Sequence, residues 1–158
     1  MSATATGTTT DETKTVRAGG CRCGAVRYRI VGKPVWVAHC HCVDCRKSAG
    51  AAFVTWAGWL MKAFSWDKDT AKKYQSSPGV ERRFCGTCGT PLTYQGGRWP
   101  DEMHVQIATL DDPESLVPRA HVNVAQQLSW IHLGDGLKRF AKTSAEGGPL
   151  PATKVGAP

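Results

Sequence analysis

The sequence predicts a single small domain made mainly of β-strands. The chain has 158 residues, a length that usually forms one domain. Short apolar runs either alternate with polar residues or are rich in β-branched and aromatic residues, and glycine, proline or polar clusters separate them. No stretch has the period of a long amphipathic helix. These observations favour a β-rich body with short helical turns.

The two ends of the chain differ in composition from its middle. Residues 1–15 are rich in serine, threonine, alanine and glycine, and residues 142–158 are rich in glycine, proline and alanine. Neither segment carries enough large apolar side chains to offset the entropy of ordering it. We therefore expect a disordered N-terminal arm, a folded body over residues 16–141 and a flexible C-terminal tail.

Strand patterns fill most of the predicted body. In the first strand Val26, Tyr28 and Ile30 alternate with two arginines, which is the period of a half-buried strand. The other predicted strands cover 35–39, 51–60, two short stretches within 64–74 around a polar turn at 67–69, and then 79–84, 91–94, 103–108 and 121–124.

Two further segments complete the body. Residues 110–116 predict a short helical turn with Asp112 as N-cap and Pro113 in the first helical position. Segment 130–140 is expected to cover the sheet through five apolar anchors, which are Trp130, Ile131, Leu133, Leu137 and Phe140.

The sequence lacks the marks of export or membrane insertion. It contains no basic segment followed by an apolar run near its start, and no run approaches the ~18 apolar residues of a membrane span. We expect a cytoplasmic protein without a membrane partner. In a reducing compartment closely spaced cysteines are more often metal ligands than disulfides.

The seven cysteines fall into three groups. The groups are Cys21 with Cys23, Cys40 with Cys42 and Cys45, and Cys85 with Cys88. Side chains two residues apart on an extended segment point the same way, and the turn with glycines at Cys85–Cys88 brings two sulfurs together. Pairing the first and last groups gives four thiolates, the ligand set of a closed structural zinc site. The alternative is a set of unrelated buried cysteines.

The remaining group, Cys40, Cys42 and Cys45, has no fourth cysteine. Three protein ligands with one open position is the pattern of catalytic zinc. The alternatives are a site closed by a histidine or a redox thiol cluster. His41 lies between two ligands and should point to the opposite face. The zinc-deaminase signature is not met, because no glutamate stands two residues after His39 or His41.

Metal loading also changes the meaning of the basic composition. The formal net charge is +7, but seven thiolates and two Zn²⁺ would bring it to about +4. The basic residues form no run of five or more. We therefore expect no nucleic-acid partner and a mild attraction for small anionic substrates.

Four segments carry a resemblance to a known family. They are residues 20–24, 40–50, 83–92 and 109–113, with the triple-cysteine segment as the most specific part. The chain resembles the glutathione-dependent formaldehyde-activating enzyme family, which also includes centromere protein V, over about residues 18–140. The resemblance implies a β-tent fold similar to Mss4. It also implies two zinc ions per chain, one structural on Cys21, Cys23, Cys85 and Cys88 and one catalytic on Cys40, Cys42 and Cys45.

The resemblance implies a carbon–sulfur lyase-type activity, the condensation of formaldehyde with glutathione to S-(hydroxymethyl)glutathione. An open zinc position could bind a thiol, polarise a carbonyl or imine, or activate water. Arg46 and Lys47 could hold substrate carboxylates, or they are surface cations. Asp44 could relay a proton, or it is a turn residue.

The tryptophans Trp56, Trp59, Trp99 and Trp130 could wall a pocket, although core packing is favoured for each. The competing functional hypothesis is a non-catalytic, zinc-stabilised binding module. The sequence leaves the substrate, the general acid or base and the oligomeric state open.

Overall fold

The structure, a computed structural model, describes residues 14–68 and 71–151. Within these residues it is mainly β, as predicted, with eleven strands and one short α-helix. The strands are β1 (Val16–Gly20), β2 (Arg27–Val31), β3 (Trp36–Cys40), β4 (Val54–Leu60), β5 (Phe64–Lys68), β6 (Ala71–Ser77), β7 (Val80–Cys85), β8 (Pro91–Gly96), β9 (Glu102–Gln106), β10 (Ala120–Val122) and β11 (Lys138–Arg139). Helix α1 spans Val43–Ala49, and 3₁₀ turns lie at Met61–Ala63, Ile107–Thr109, Pro113–Ser115 and Val124–Gln126.

The strands form two sheets. The smaller sheet has the order β1-β2-β5, and the larger has the order β11-β10-β3-β4-β9-β8-β7-β6. The central pairs are antiparallel, whereas β10 runs parallel to both β3 and β11. The apolar core lies between the sheets, since it contains buried side chains from both, such as Tyr28 of β2 and Trp59 of β4.

The register of the large sheet sets out two faces with different chemistry. Trp36, Gly58, His104 and Tyr94 are partners across β3, β4, β9 and β8, so they share one face. A Cβ atom on Gly58 would lie 2.5 Å from Nε1 of Trp36. Glycine at this position therefore lets the indole of Trp36 cross the neighbouring strand.

The opposite face begins one residue along each strand. Val37 and Ala57 are register partners and belong to the apolar core. His39, two residues after Val37, lies on the same face, and its register partners are Thr55 on β4 and His121 on β10. One sheet thus carries Cys40 on one side and His39 on the other.

Several local predictions are confirmed and several are wrong. The two strands within 64–74 exist, but β5 and β6 belong to different sheets; of the turn predicted at 67–69, residue 69 lies outside the described residues. Asp112 is the N-cap of the 3₁₀ turn at Pro113–Ser115, although its side chain makes no capping hydrogen bond. β1 and α1 were not predicted.

Corrections to the sequence analysis concern a pair of cysteines and one anchor. Cys21 and Cys23 lie in a turn between β1 and β2 rather than on an extended segment. Trp130 is 64% exposed, so its prediction as a buried anchor is wrong, whereas Phe140 is buried. Within segment 130–140, only Lys138 and Arg139 pair with β10, and the residues before them are exposed or half-buried.

The chain beyond residue 141 returns to the body. The amide of Leu150 donates to the carbonyl of Arg139 at 2.8 Å, and Glu146 forms an ion pair with Arg98 at 3.0 Å. The described part of the predicted tail is thus in contact with the domain. Helix α1, with seven residues, is the longest helix in the described ranges and falls well short of the ~20 residues needed to cross a bilayer.

Candidate metal centre

The first and last cysteine groups meet where the two sheets approach each other. Cys21 and Cys23 occupy the β1–β2 turn, which is closed by a hydrogen bond from the amide of Cys21 to the carbonyl of Val26 at 3.0 Å. Cys85 ends β7 and Cys88 lies in the turn to β8. Gly89, with φ of +75°, permits that tight turn. We call these residues the four-cysteine cluster.

The geometry of this cluster fits a tetrahedral zinc ion. All four sulfurs lie within 4.8 Å of one another, with 3.5 Å between Cys21 and Cys23 and 3.7 Å between Cys23 and Cys85. A tetrahedron with Zn–S bonds of about 2.3 Å has sulfurs roughly 3.8 Å apart. The hydroxyl of Thr90, 3.1 Å from the sulfur of Cys88, helps lower the pKa of that thiol to about 5. Cys88 is therefore ready to bind a cation as a thiolate.

The second group is positioned by the end of a strand and the start of a helix. Cys40 is the last residue of β3, Cys42 is the N-cap of α1, and Cys45 lies in its first turn. The sulfur of Cys42 accepts the amide of Cys45 at 3.3 Å. Gly50, in the left-handed conformation, ends the helix with a bond to the carbonyl of Arg46. We call these residues the three-cysteine cluster.

The three sulfurs also lie within 4.8 Å of one another. Hydrogen bonds with Cys40 and Cys45 lower the pKa of Cys42 to about 2, and hydrogen bonds with Cys40 and Cys42 raise the pKa of Cys45. The side-chain amide of Asn123 donates through Nδ2 to the sulfur of Cys40 at 3.3 Å. Three sulfurs this close together are a donor set that suits Zn²⁺.

His41 lies on the far side of the sheet from the three sulfurs, as predicted. Its side chain is fully buried, and its Nε2 is 2.9 Å from Nδ1 of His121. Burial lowers the pKa of His41 to about 4, so its ring is neutral at pH 7. Among the described histidines, none shares a metal-ligand cluster with Cys40, Cys42 and Cys45.

A cavity of about 540 Å³ opens over the three-cysteine cluster. We call it the sulfur cavity. Beside the three cysteines it is lined by aromatic rings, two carboxylates, an imidazole and two guanidinium groups, namely Trp36, Trp56, Tyr94, Trp99, Asp44, Glu102, His104, Arg82 and Arg98. Residues 143–145, which follow β11, close one side. The four-cysteine cluster, by contrast, contributes no residue to this cavity.

Glu102 and His104 form a pair that the sequence analysis did not single out as functional. Nε2 of His104 is 2.9 Å from Oε2 of Glu102, and the indole of Trp36 donates to the same oxygen at 2.8 Å. The other oxygen, Oε1, has no partner among the described residues. Burial lowers the pKa of His104, and Glu102 opposes that shift. The pair therefore offers a fixed carboxylate and a neutral imidazole.

The cations of the sulfur cavity are Arg82 and Arg98. The guanidinium of Arg82 lies 5.0 Å from the ring centroid of Tyr94, and that of Arg98 lies 5.0 Å from the centroid of Trp99. Arg82 also donates to the hydroxyls of Ser76 and Ser48, at 3.3 and 3.4 Å. Two positive charges thus face an aromatic cavity.

The predicted substrate residues lie elsewhere. Arg46 donates through Nε to the carbonyl of His41 at 3.2 Å. Lys47 lines a neighbouring cavity of about 630 Å³, which shares Asp44 and Arg82 with the sulfur cavity. Neither Arg46 nor Lys47 lines the sulfur cavity, and their role in substrate binding stays a prediction.

The tryptophans divide between core and cavity. Trp59 is buried in the core, as expected, while Trp56 and Trp99 line the sulfur cavity and Trp130 is exposed. The alternation of polar residues at 102, 104 and 106 in β9 was a usable signal for a second, polar face. The prediction of a strand at 103–108 rests only on its apolar residues, Met103, Val105 and Ile107.

The fold and sequence both match known proteins. A crystal structure of a Rhodobacter sphaeroides protein superposes with a TM-score of 0.52 at 24% identity, covering 65% of this chain and 92% of the other, which shows a common fold. An uncharacterized lyase of Schizosaccharomyces pombe is 31% identical over 84 residues, covering 52% of this chain and 61% of the relative.

The Halomonas elongata relative named putative glutathione-dependent formaldehyde-activating enzyme is 32% identical over 131 residues, covering 73% of this chain and 79% of the relative. The family model described as glutathione-dependent formaldehyde-activating enzyme matches residues 16–126, which include every cysteine of both clusters. The chain therefore belongs to the glutathione-dependent formaldehyde-activating enzyme family.

Proposed function

We propose that this chain is a zinc-dependent enzyme of the carbon–sulfur lyase type that adds a thiol to an aldehyde, and reverses the addition, in the sulfur cavity. The observation that carries the proposal is the lining of one cavity by the three-cysteine cluster, the Glu102–His104 pair and two arginines. The names of the Halomonas and Schizosaccharomyces relatives support glutathione, formaldehyde and lyase chemistry.

The proposed reaction balances without an oxidant or a leaving group. The thiol loses its proton, its sulfur forms a bond to the carbonyl carbon, and the carbonyl π electrons move to oxygen. That oxygen then takes up a proton to give a hydroxymethyl thioether. The reverse reaction breaks the carbon–sulfur bond and releases the aldehyde.

Cys40, Cys42 and Cys45 would hold Zn²⁺ and leave one coordination position for the substrate. When bound there, Zn²⁺ stabilises a substrate thiolate by lowering the pKa of the thiol. Sulfur ligands favour a further sulfur ligand over oxygen, which supports a thiol as the partner of this site. A related carbonyl or imine substrate is the next class to test.

Glu102 is the proposed proton carrier. Its Oε2 is held by two nitrogen donors, from Trp36 and His104, while Oε1 is available to a substrate proton. A carboxylate fixed in this way can accept the thiol proton and return it to the new hydroxyl. His104 positions the carboxylate and remains neutral at pH 7, because burial lowers its pKa.

Arg82 and Arg98 are the proposed sites for substrate carboxylates. Glutathione carries two carboxylates, and guanidinium groups bind carboxylates through paired hydrogen bonds. Arg98 already pairs with Glu146 at 3.0 Å, so an incoming carboxylate would compete with that residue. The rings of Trp36, Tyr94 and Trp99 around His104 would limit water near the reacting atoms.

The test is the rate at which zinc-loaded protein forms S-(hydroxymethyl)glutathione, measured by NMR exchange against the spontaneous rate. We expect acceleration by the wild type and none by Cys42→Ser, with other thiols tested in parallel. Lys62→Met, which changes an exposed residue that does not line the sulfur cavity, serves as the control. Equal exchange rates with wild type, Cys42→Ser and no protein, across the thiols, would favour a non-catalytic binding module.

A further inference from the structure

A cluster of two histidines and one carboxylate lies on the face of the large sheet opposite the sulfur cavity. One ring nitrogen each of His39 and His121 and a carboxylate oxygen of Asp135 lie within 4.8 Å of one another. His39 and His121 are register partners on the parallel strands β3 and β10. Their rings stack with centroids 4.7 Å apart at 24°. We call these three residues the histidine cluster.

The contact between His121 and Asp135 has the length of a hydrogen bond and also suits two ligands of one ion. Nε2 of His121 lies 2.8 Å from Oδ2 of Asp135. Two ligand atoms bound to the same ion, each at about 2.0–2.2 Å, stand roughly 3 Å apart. Asp135 can therefore share an ion with His121 with little movement of either side chain.

The remaining nitrogen of each ring is already fixed. Nδ1 of His39 is 2.9 Å from the hydroxyl of Thr55, and Nδ1 of His121 is 2.9 Å from Nε2 of His41. Histidines that bind metals almost always have the second nitrogen held in this way, because that contact sets the tautomer and the ring orientation. In both residues Nε2 is left as the ligand atom.

The three residues of the histidine cluster differ in how far they are exposed to solvent. His121 is 1% exposed, whereas the side chain of Asp135 is 43% exposed and His39 is half-buried. An ion can thus reach the site from solvent, with His121 as its fixed floor. Arg139, the register partner of His121 on β11, adds a positive charge nearby, which the carboxylate of Asp135 offsets.

We propose that His39, Asp135 and His121 form a third metal site, which takes a divalent first-row transition ion such as Zn²⁺. Two imidazoles and one carboxylate suit zinc, cobalt, nickel or iron(II) and disfavour calcium and magnesium, which prefer oxygen ligands. The ion binds the neutral tautomer of His121 that carries its one proton on Nδ1 and donates it to Nε2 of His41. Nε2 of His121 and the ionised carboxylate of Asp135 then carry no proton and bind the ion, so no net proton is released.

The experiment titrates Zn²⁺ into full-length protein whose two cysteine clusters are already loaded, and follows it by calorimetry. We expect the wild type to bind one further equivalent. Asp135→Asn and His39→Gln should lose it, and His132→Gln, which changes an exposed histidine of the same segment, should retain it. Uptake by Asp135→Asn equal to that of the wild type would overturn the site, as would no uptake by the wild type.

A second variant tests the site without removing a ligand. Thr55→Val keeps the shape of the side chain but removes the oxygen that holds Nδ1 of His39. We expect the affinity for the added ion to fall by about tenfold, the lower end of the effect of such partners. Added Co²⁺ should give visible bands without thiolate-to-cobalt charge transfer. An unchanged affinity in Thr55→Val, or a charge-transfer band, would contradict binding at the histidine cluster.

Discussion

The two cysteine clusters have the same chemistry and different surroundings. The four-cysteine cluster lies in two turns, joins the small sheet to the large one, and contributes nothing to the sulfur cavity. The three-cysteine cluster lies at the end of β3 and the start of α1, and all of its members line that cavity. The two clusters therefore differ in ligand number and in what lies beside them. The four sulfurs bring together residues of the two sheets, whereas the three sulfurs face a space of about 540 Å³.

The largest expected effect comes from replacing one cysteine with serine in each cluster. We expect Cys85→Ser to be unfolded at 25 °C and to show no thermal unfolding transition, because structural zinc contributes on the order of 10 kcal/mol to the folding of small zinc domains. Cys42→Ser should keep the fold, since serine is itself a good N-cap for α1. Circular dichroism during thermal unfolding measures the stability of each variant, and metal analysis measures its zinc content per chain.

Similar stabilities of Cys85→Ser and Cys42→Ser would contradict the proposed difference between the two clusters. Equal loss of structure in Cys42→Ser would mean that the three-cysteine cluster is also structural. An unchanged melting temperature in Cys85→Ser would remove the structural role of the four-cysteine cluster.

The next effect concerns the proton carrier. Glu102→Gln keeps the shape of the side chain and can still accept the indole hydrogen of Trp36, but it cannot take a proton. We expect kcat to fall by about 100-fold or more with little change in zinc content. Steady-state kinetics with glutathione and formaldehyde measure it, and Glu114→Gln, on the surface turn Pro113–Ser115, is the matched control. A kcat within twofold of the wild type would exclude Glu102 from proton transfer.

A smaller effect separates two hypotheses for substrate binding. Arg98→Met should raise KM for glutathione by roughly 10- to 100-fold, which corresponds to losing one charged hydrogen bond of about 1.5–3 kcal/mol. Lys47→Met should change KM little, because Lys47 lines the neighbouring cavity. The reverse order of effects would support the sequence-based prediction for Lys47 and contradict the assignment of Arg98.

The smallest effect is a shift in the titration of His104. Burial lowers its pKa below the ordinary value of about 6.5, so below that pH the unfolded chain binds the proton more readily than the folded one. This residue therefore lowers the free energy of unfolding as the pH falls through that range. Glu102→Gln should lower the pKa further, since Glu102 raises it. Histidine NMR titration measures both, and a pKa above 6.5 would contradict the burial of this ring.

The cysteine groups could be predicted from the sequence because their chemistry depends on short spacings. The cysteines within 85–88 and within 40–45 each converge through local turns, and such spacings are typical of metal ligands. Strand β2 could also be predicted, because Val26, Tyr28 and Ile30 alternate with polar residues. Helix α1 was missed although Arg46, Lys47 and Gly50 form an ordinary C-terminal signal.

The other half of the site could not be predicted in the same way. Glu102 and His104 reach the cysteines only through the strand order β3-β4-β9, in which the β4–β9 pairing joins residues more than 40 positions apart. Arg82 and Arg98 depend on the same long-range register. The exposure of Trp130 could not be predicted either, because an aromatic residue in an apolar stretch is expected to be buried unless the path of the chain is known.

The central claim, that one cluster is closed and the other open, can be tested by ¹¹³Cd NMR of the cadmium-substituted protein. We expect two cysteine-ligated signals, one typical of four sulfurs and one of three sulfurs with a different fourth ligand. Glutathione should move only the second signal, the one absent from Cys42→Ser. Two four-sulfur signals before glutathione is added, or a second signal that glutathione leaves unmoved, would contradict the account.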